Sequence, residues 1–249
     1  MPSLTVPRRF NGPPRSGNGG WTAGALAQTL PGGHRGTPIT VALRLPPPLD
    51  TPMPLTETGT GSVATHDGRV VAEARFAEVE PAPVLAVPVT EAAAAEGRYP
   101  GRHRHPFPTC YACGPRRAPG DGLRIFPGPV ANGAHRPASD PHQPGDERPA
   151  GVAATWTPYE TSVPNTWAAL DCIGGWATDI DERPMVLGTI TLRIHRLPTT
   201  AERYVVVGAD LGTEGRKTRT AASMYDPVGE VVATAEHVWI QVDPRSFNA

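Results

Sequence analysis

The sequence predicts an α+β chain made of two tandem copies of one small unit, each a single helix wrapped by an antiparallel meander. Two echoes point to the duplication. Gly19-Gly20-Trp21 returns as Gly174-Gly175-Trp176, each time at the head or in the middle of an Ala-rich, helix-spaced stretch. Downstream, Gly68-Arg69-Val70-Val71-Ala72-Glu73-Ala74 returns as Gly229-Glu230-Val231-Val232-Ala233-Thr234-Ala235, with five of seven letters shared, each run following a turn built around Asp67 or Asp226. The offsets, 155 and 161 residues, differ by a short length change only. A solenoid repeats every 20–50 residues or so, and a period this long belongs to a duplicated domain.

The elements follow in order. Residues 4–10 alternate weakly as a strand, and Asn11-Gly12-Pro13-Pro14 with Ser16-Gly17-Asn18 form a loop. Residues 21–30 place Ala23, Leu26, Ala27 and Leu30 at helical spacing and stop at Pro31-Gly32-Gly33. Alternation of Ile39, Val41, Leu43 and Leu45 makes residues 37–45 a strand; residues 55–65 are a polar strand, and 69–79 another after the Asp67-Gly68 turn. In the second copy residues 151–157 are a strand and 165–178 a helix behind Pro164, with Trp167, Leu170, Ile173, Gly174 and Ala177 on its buried side. Strands at 185–197, 204–211, 216–225 and 230–242 complete it. The expected organisation is a first repeat at 1–98, a connector at 99–149 and a second repeat at 150–249. Within the connector, 122–126 is expected as a strand and 127–149 as a mobile surface loop or lid.

Composition narrows the function. A 249-residue chain with 39% hydrophobic content can bury a sizeable core. With 23 basic against 24 acidic residues there is no field to gather nucleic acid or an anionic membrane, so small-molecule work is the expectation. No segment approaches the roughly 18 apolar residues of a membrane helix, and no apolar run follows Arg8 and Arg9, so the expected location is cytoplasmic. Three cysteines, an odd count, do not suggest a secreted disulfide scaffold.

A family resemblance rests on the order of several loose motifs: Asn18-Gly19-Gly20-Trp21 with the helix to Leu30, the helix from Trp167 to Trp176, Ile194-His195-Arg196, Gly215-Arg216-Lys217, and Tyr225-Asp226 with Gly229 to Ala233. The set resembles the hotdog-fold superfamily in its tandem, double-hotdog form, two central helices each wrapped by an antiparallel sheet. Its second half is similar to type II acyl-CoA thioesterases. The resemblance implies hydrolysis of an acyl thioester carried by coenzyme A or an acyl carrier, with water assisted by a helix aspartate and backbone N–H donors. It implies no cofactor, and a monomer or a homodimer of double units.

Thioester hydrolysis needs an attacking water, a base and N–H donors aimed at the thioester oxygen. Where many single-hotdog thioesterases carry His-Gly-Gly before the helix, this chain has Asn18, Gly19 and Gly20, so these are candidate substrate-binding residues; the simpler reading is a helix cap. The family acid, nine residues on, falls on Ala27, which leaves the first copy without a base. Asp171 is a carboxylate in an otherwise apolar helix: either it faces solvent or makes a structural hydrogen bond, or desolvation raises its pKa toward that of a useful base. Aligning the Ala-Leu of that helix with the family places the family aspartate near Gly175, one turn later on the same face. Gly174 and Gly175 are candidate binding positions, since helix glycines admit a close backbone or present N–H groups. The family glutamine falls on His237, which holds a water, acts as base, or is a structural strand histidine. Thr189 is the nearest match to the family threonine. Arg216 and Lys217, with Arg219, meet coenzyme A phosphates or simply protect a strand edge.

His103, His105, Cys110 and Cys113 put four candidate zinc ligands, two histidines and two cysteines, into eleven residues. Their spacing is irregular for zinc, since His-x-His splits across the two faces of an extended chain and no second Cys-x-x-Cys follows. A turn in the connector, without metal, is the expectation. Two other functions fit the same scaffold: a non-catalytic acyl-thioester binding protein, and a hotdog enoyl-CoA hydratase or dehydratase, whose usual signatures are not recognisable here.

Overall fold

A computed structural model describes residues 2–32, 36–130, 151–243 and 245. Its elements in chain order are β1 (Ser3–Leu4), α1 (Gly19–Ala27), β2 (Ile39–Leu43), β3 (Met53–Thr58), β4 (Gly61–His66), β5 (Arg69–Phe76), α2 (Val89–Ala95) and β6 (Gly128–Pro129). Then come β7 (Val152–Trp156), α3 (Val163–Trp176), β8 (Met185–Ile194), β9 (Tyr204–Glu214), β10 (Lys217–Tyr225) and β11 (Val231–Gln241).

Local turn chemistry fixes the hairpins. Asp67 and Gly68 take φ of 49° and 70° between β4 and β5, the positive-φ pair on which right-twisted antiparallel strands close. Between β10 and β11, Asp226 Oδ1 accepts the N–H groups of Val228 and Glu230, and Gly229 supplies a φ of 88°. The resulting sheet runs β1-β3-β4-β5-β2-β8-β11-β10-β9-β7-β6. Apart from β6, the order is the same from either end: β1, β3, β4, β5 and β2 answer to β7, β9, β10, β11 and β8. The halves join where β2 pairs antiparallel with β8, from Ile39 opposite Leu192 to Ala42 opposite Thr189.

Helix α1 packs on β2, β4 and β5 and reaches across the seam to β8, and α3 packs on β7 to β11. The two helices also pack on each other, and glycine makes this possible. A Cβ at Gly20 would meet Asp171 Cβ and lie 2.7 Å from the Trp167 carbonyl oxygen; one at Gly24 would lie 2.8 Å from Pro164 Cα and Trp167 Cβ. Around this crossing the core gathers Leu26, Val41, Trp167, Leu170, Ile173 and Ile190, all essentially buried.

Several sequence expectations need correction. The first strand is only Ser3–Leu4, and Arg8–Phe10 is a 3-10 turn. The first helix starts at Gly19 because the Asn18 side chain caps it, and it ends at Ala27. The strand expected over 55–65 is the β3–β4 hairpin, turning at residues 59–60. Residues 122–126 are not a strand: Leu123 and Ile125 donate to the carbonyls of Tyr111 and Ala112, and Arg124 has a φ of 55°. Helix α2 escapes the sequence pattern because its alanines carry no apolar period. The loop expected at 127–149 lies outside the described residues from 131 onward. Finally, the two Gly-Gly-Trp tripeptides are not equivalent in space, for one opens α1 and the other closes α3.

Candidate functional site

Helix α3 begins with Ser162 accepting the Asn165 N–H and with Pro164 in the first turn, where a missing N–H does no harm. Nearly every residue on it is buried, because strands enclose one side and α1 the other. Asp171, 2% exposed, therefore meets α1 and not water.

What it meets is the start of α1. Asn18 uses its side-chain oxygen to accept the Trp21 N–H at 2.8 Å and its amide nitrogen to donate to Asp171 Oδ2 at 3.0 Å. Gly20 N–H donates to the same carboxylate oxygen at 2.9 Å. Asp171 Oδ1 is buried without a hydrogen-bond partner among the described residues. Burial pushes the Asp171 carboxyl up to about 7, against the lowering effect of the Gly20 N–H and Asn18 amide, while charge on Cys110 adds to the rise. The N–H of Gly19, at the first position of the helix, meets no acceptor among the described residues and sits at the positive end of the helix dipole.

The two N-caps, Asn18 and Ser162, align the helices as equivalents. Nine residues after each cap stand Ala27 and Asp171. The acid thus belongs to the second helix while the cap and glycines it faces belong to the first, and the reciprocal pairing has alanine in place of an acid.

Asn18, Gly19 and Asp171 line a cavity of about 230 Å³ at the β2–β8 seam. Its walls are largely apolar, with Leu43, Phe107, Trp176, Met185, Leu187 and Trp239 among them. His105, Cys110 and Cys113 close one side together with Cys172 of α3. Cys110 and Cys172 sulfurs are 3.6 Å apart, and Cys113 Sγ is 3.4 Å from His105 Nε2. Hydrogen bonds from Cys113 and Cys172 hold the Cys110 thiol well below the usual range, whereas burial pushes Cys113 up.

Other expected site residues stand elsewhere. His237 is buried below Gly174 and does not line the cavity. Trp239 Nε1 donates to Thr220 Oγ1, whose hydroxyl is 3.0 Å from His237 Nδ1, so His237 braces a wall residue from behind. Burial lowers its pKa to about 4, the backbone of Leu170 and Thr220 opposing, so it is neutral at pH 7. Thr189 alternates with the fully buried Ile190 and falls on the outer face of the sheet, away from the helices. Gly174 and Gly175 lie at the C-terminal end of α3, which offers carbonyls and not free N–H groups. Their lack of a side chain serves packing, since a Cβ at Gly174 would be 2.6 Å from Thr220 Oγ1 and one at Gly175 2.9 Å from Ile180 Cδ1. Arg216 occupies the β9–β10 turn and donates to the Gln241 carbonyl; Lys217 is the cross-strand neighbour of Ile240, which lines the cavity. His103 is exposed and outside the cysteine cluster.

Cys172 and Arg44 are cavity residues that the sequence reading misses. The signal for Cys172 is its place next to Asp171; for Arg44, in a Leu-Arg-Leu run, pattern offers none.

No protein-family model matches the chain, and no curated protein matches it in sequence. Solved structures do match over nearly the whole length. A conserved protein of unknown function with hot dog fold from Alicyclobacillus acidocaldarius is 14% identical, with a TM-score of 0.58 over 97% of this chain and 93% of that one. A tesB protein of Mycobacterium avium subspecies paratuberculosis is 14% identical, TM-score 0.57, covering 96% and 91%. An acyl-CoA thioesterase II of Mycobacterium marinum is 12% identical, TM-score 0.53, covering 98% and 94%. What the chain shares with them is the hotdog fold. No described helix is long and apolar enough to cross a membrane.

Proposed function

We propose that this hotdog-fold chain is a tandem double hotdog, with repeats at 1–98 and 150–249 and a connector at 99–149, and that it hydrolyses acyl thioesters of the acyl-CoA class. The observation that carries the reading is the Asp171 carboxylate, anchored through Oδ2 to the start of α1 and left with a free Oδ1 in an apolar cavity. In the proposed reaction Oδ1 takes a proton from water as the water oxygen attacks the thioester carbon. Gly19 N–H receives the carbonyl oxygen as it gains negative charge. When the carbon–sulfur bond breaks, the proton held by Asp171 passes to the leaving thiolate.

Specificity follows from the walls. An acyl chain would run along Leu43, Leu187 and Trp239. Lys217 and Arg216, next to the strand end that carries Ile240, are the proposed contacts for coenzyme A phosphates, with Arg44 on the cavity rim. His237 and Thr189 have no contact with substrate in this mechanism, which is why the water depends on Asp171 alone.

That dependence also favours a second reading, a protein that binds an acyl thioester without cleaving it. Release of free thiol from acyl-CoAs of graded chain length, measured beside calorimetric binding, separates the two. We expect turnover with at least one chain length. Binding without release would establish the second reading, and hydration of crotonyl-CoA without thiol release would establish a hydratase.

A further inference from the structure

We propose that Cys110, Cys113 and Cys172 form a thiolate site for one Zn²⁺ ion, clamping the connector to α3 beside the cavity. The three sulfurs lie within 4.8 Å of one another, and the Cys110–Cys172 pair is at 3.6 Å. Tetrahedral zinc with Zn–S bonds of about 2.3 Å sets its sulfurs about 3.8 Å apart, so the triangle is sized for one ion. Three thiolates are a soft donor set, which selects zinc over the hard cations magnesium and calcium.

The turn that presents two of these sulfurs is held independently of the third. Gly114 N–H closes it on the Cys110 carbonyl at 2.9 Å, and a Cβ at Gly114 would lie 2.6 Å from Cys110 N, so Cys-x-x-Cys-Gly needs its glycine. Tyr111 N–H binds the Asn11 carbonyl, while Leu123 and Ile125 donate to Tyr111 and Ala112. Cys172, 62 residues away from Cys110 in sequence, then arrives from α3.

The surroundings suit a charged sulfur cluster. Asn18 Nδ2 lies 3.7 Å from Cys110 Sγ and 3.9 Å from Cys172 Sγ, so the amide hydrogen that Asp171 does not take can be shared between the two sulfurs. His105 accepts the Phe107 N–H at Nδ1, which leaves the ring proton on Nε2, facing Cys113 Sγ at 3.4 Å. His105 is therefore an outer donor to a thiolate, and a fourth zinc ligand would come from the cavity that all three cysteines line. On binding, each thiol gives up its proton to solvent as its sulfur bonds the ion.

Elemental analysis of the untagged full-length chain, purified under thiol reductant and without chelator, tests the site. We expect about one zinc per chain. Exchange for Co²⁺ should give a thiolate-to-cobalt charge-transfer band in the near ultraviolet. In Cys110→Ser and Cys172→Ser zinc content should fall roughly tenfold or more; the cobalt spectrum is recorded on the unsubstituted chain, so it does not depend on a variant folding. Reduced protein that takes up neither Zn²⁺ nor Co²⁺ overturns the proposal. So does a metal-free chain lighter by two hydrogens, which would assign the pair at 3.6 Å to a disulfide. Metal is counted without substrate, so failure here leaves the hydrolase reading standing.

Discussion

Burying a carboxylate costs several kcal/mol unless hydrogen bonds offset it, and Asp171 receives two, both from the start of α1. Gly20 is the tighter constraint of the pair, since its N–H must reach the carboxylate while its α-carbon touches α3. Gly20→Ala should destabilise the chain by about 1–3 kcal/mol in urea unfolding, through overlap with Asp171 and the Trp167 carbonyl; an unchanged midpoint would mean that the helices can separate without loss. His237 allows a pH prediction. Its folded pKa of about 4 lies below the ordinary 6.5, so between those values the unfolded chain binds the extra proton. Its contribution to stability is complete above about pH 6.5 and declines as pH falls toward 4, by on the order of 3 kcal/mol in all. His237→Gln should flatten that part of the urea midpoint against pH curve, and an equal slope in both proteins would place the titration elsewhere. From sequence, Asp171 is legible as an acid among apolar neighbours and Asn18 as a cap. That they touch is not legible, because 153 residues separate them.

Among the elements, the two Asp-bearing hairpin turns are read more securely than the repeated Gly-Gly-Trp, while the β3–β4 turn goes unread. Asp67-Gly68 and Asp226 to Gly229 act within a few residues of themselves, so their echo marks truly equivalent positions, the β4–β5 and β10–β11 turns. Gly-Gly-Trp acts through whatever lies across from it, and the same letters open one helix and close the other. Identity of a tripeptide does not give its place along a helix; the caps do, and Ser162 is the partner of Asn18. The second hairpin should be the more fragile under substitution. Asp226→Ala removes an acceptor for two backbone N–H groups and a salt-bridge partner for Arg196. We expect a loss of about 1–3 kcal/mol by thermal or urea unfolding, and a change below about 0.5 kcal/mol would show that Gly229 alone holds the turn.

Across the whole molecule, the two helices offer two N-termini and two positions for an acid, and only the pairing of the α1 start with Asp171 has both parts. The palindromic strand order brings the halves together at β2 and β8, and the cavity opens on that seam, so neither half holds the site alone. The difference between the two helices is legible in the sequence as Ala27 against Asp171. Their convergence on one cavity is not, because it arises from packing α1 across α3. The segment carrying Cys110 and Cys113 enters the same cavity, a link that appears only once Cys172 is placed beside them. All these parts meet at the Asp171 carboxylate. The most direct measurement is therefore kcat/KM for acyl-CoA hydrolysis in the wild-type chain and in Asp171→Asn, with folding monitored by circular dichroism. We expect Asp171→Asn to remain folded and to lose activity by about 10²- to 10⁴-fold. Hydrolysis at the wild-type rate by a folded Asp171→Asn chain would contradict the assignment of Asp171 as the base.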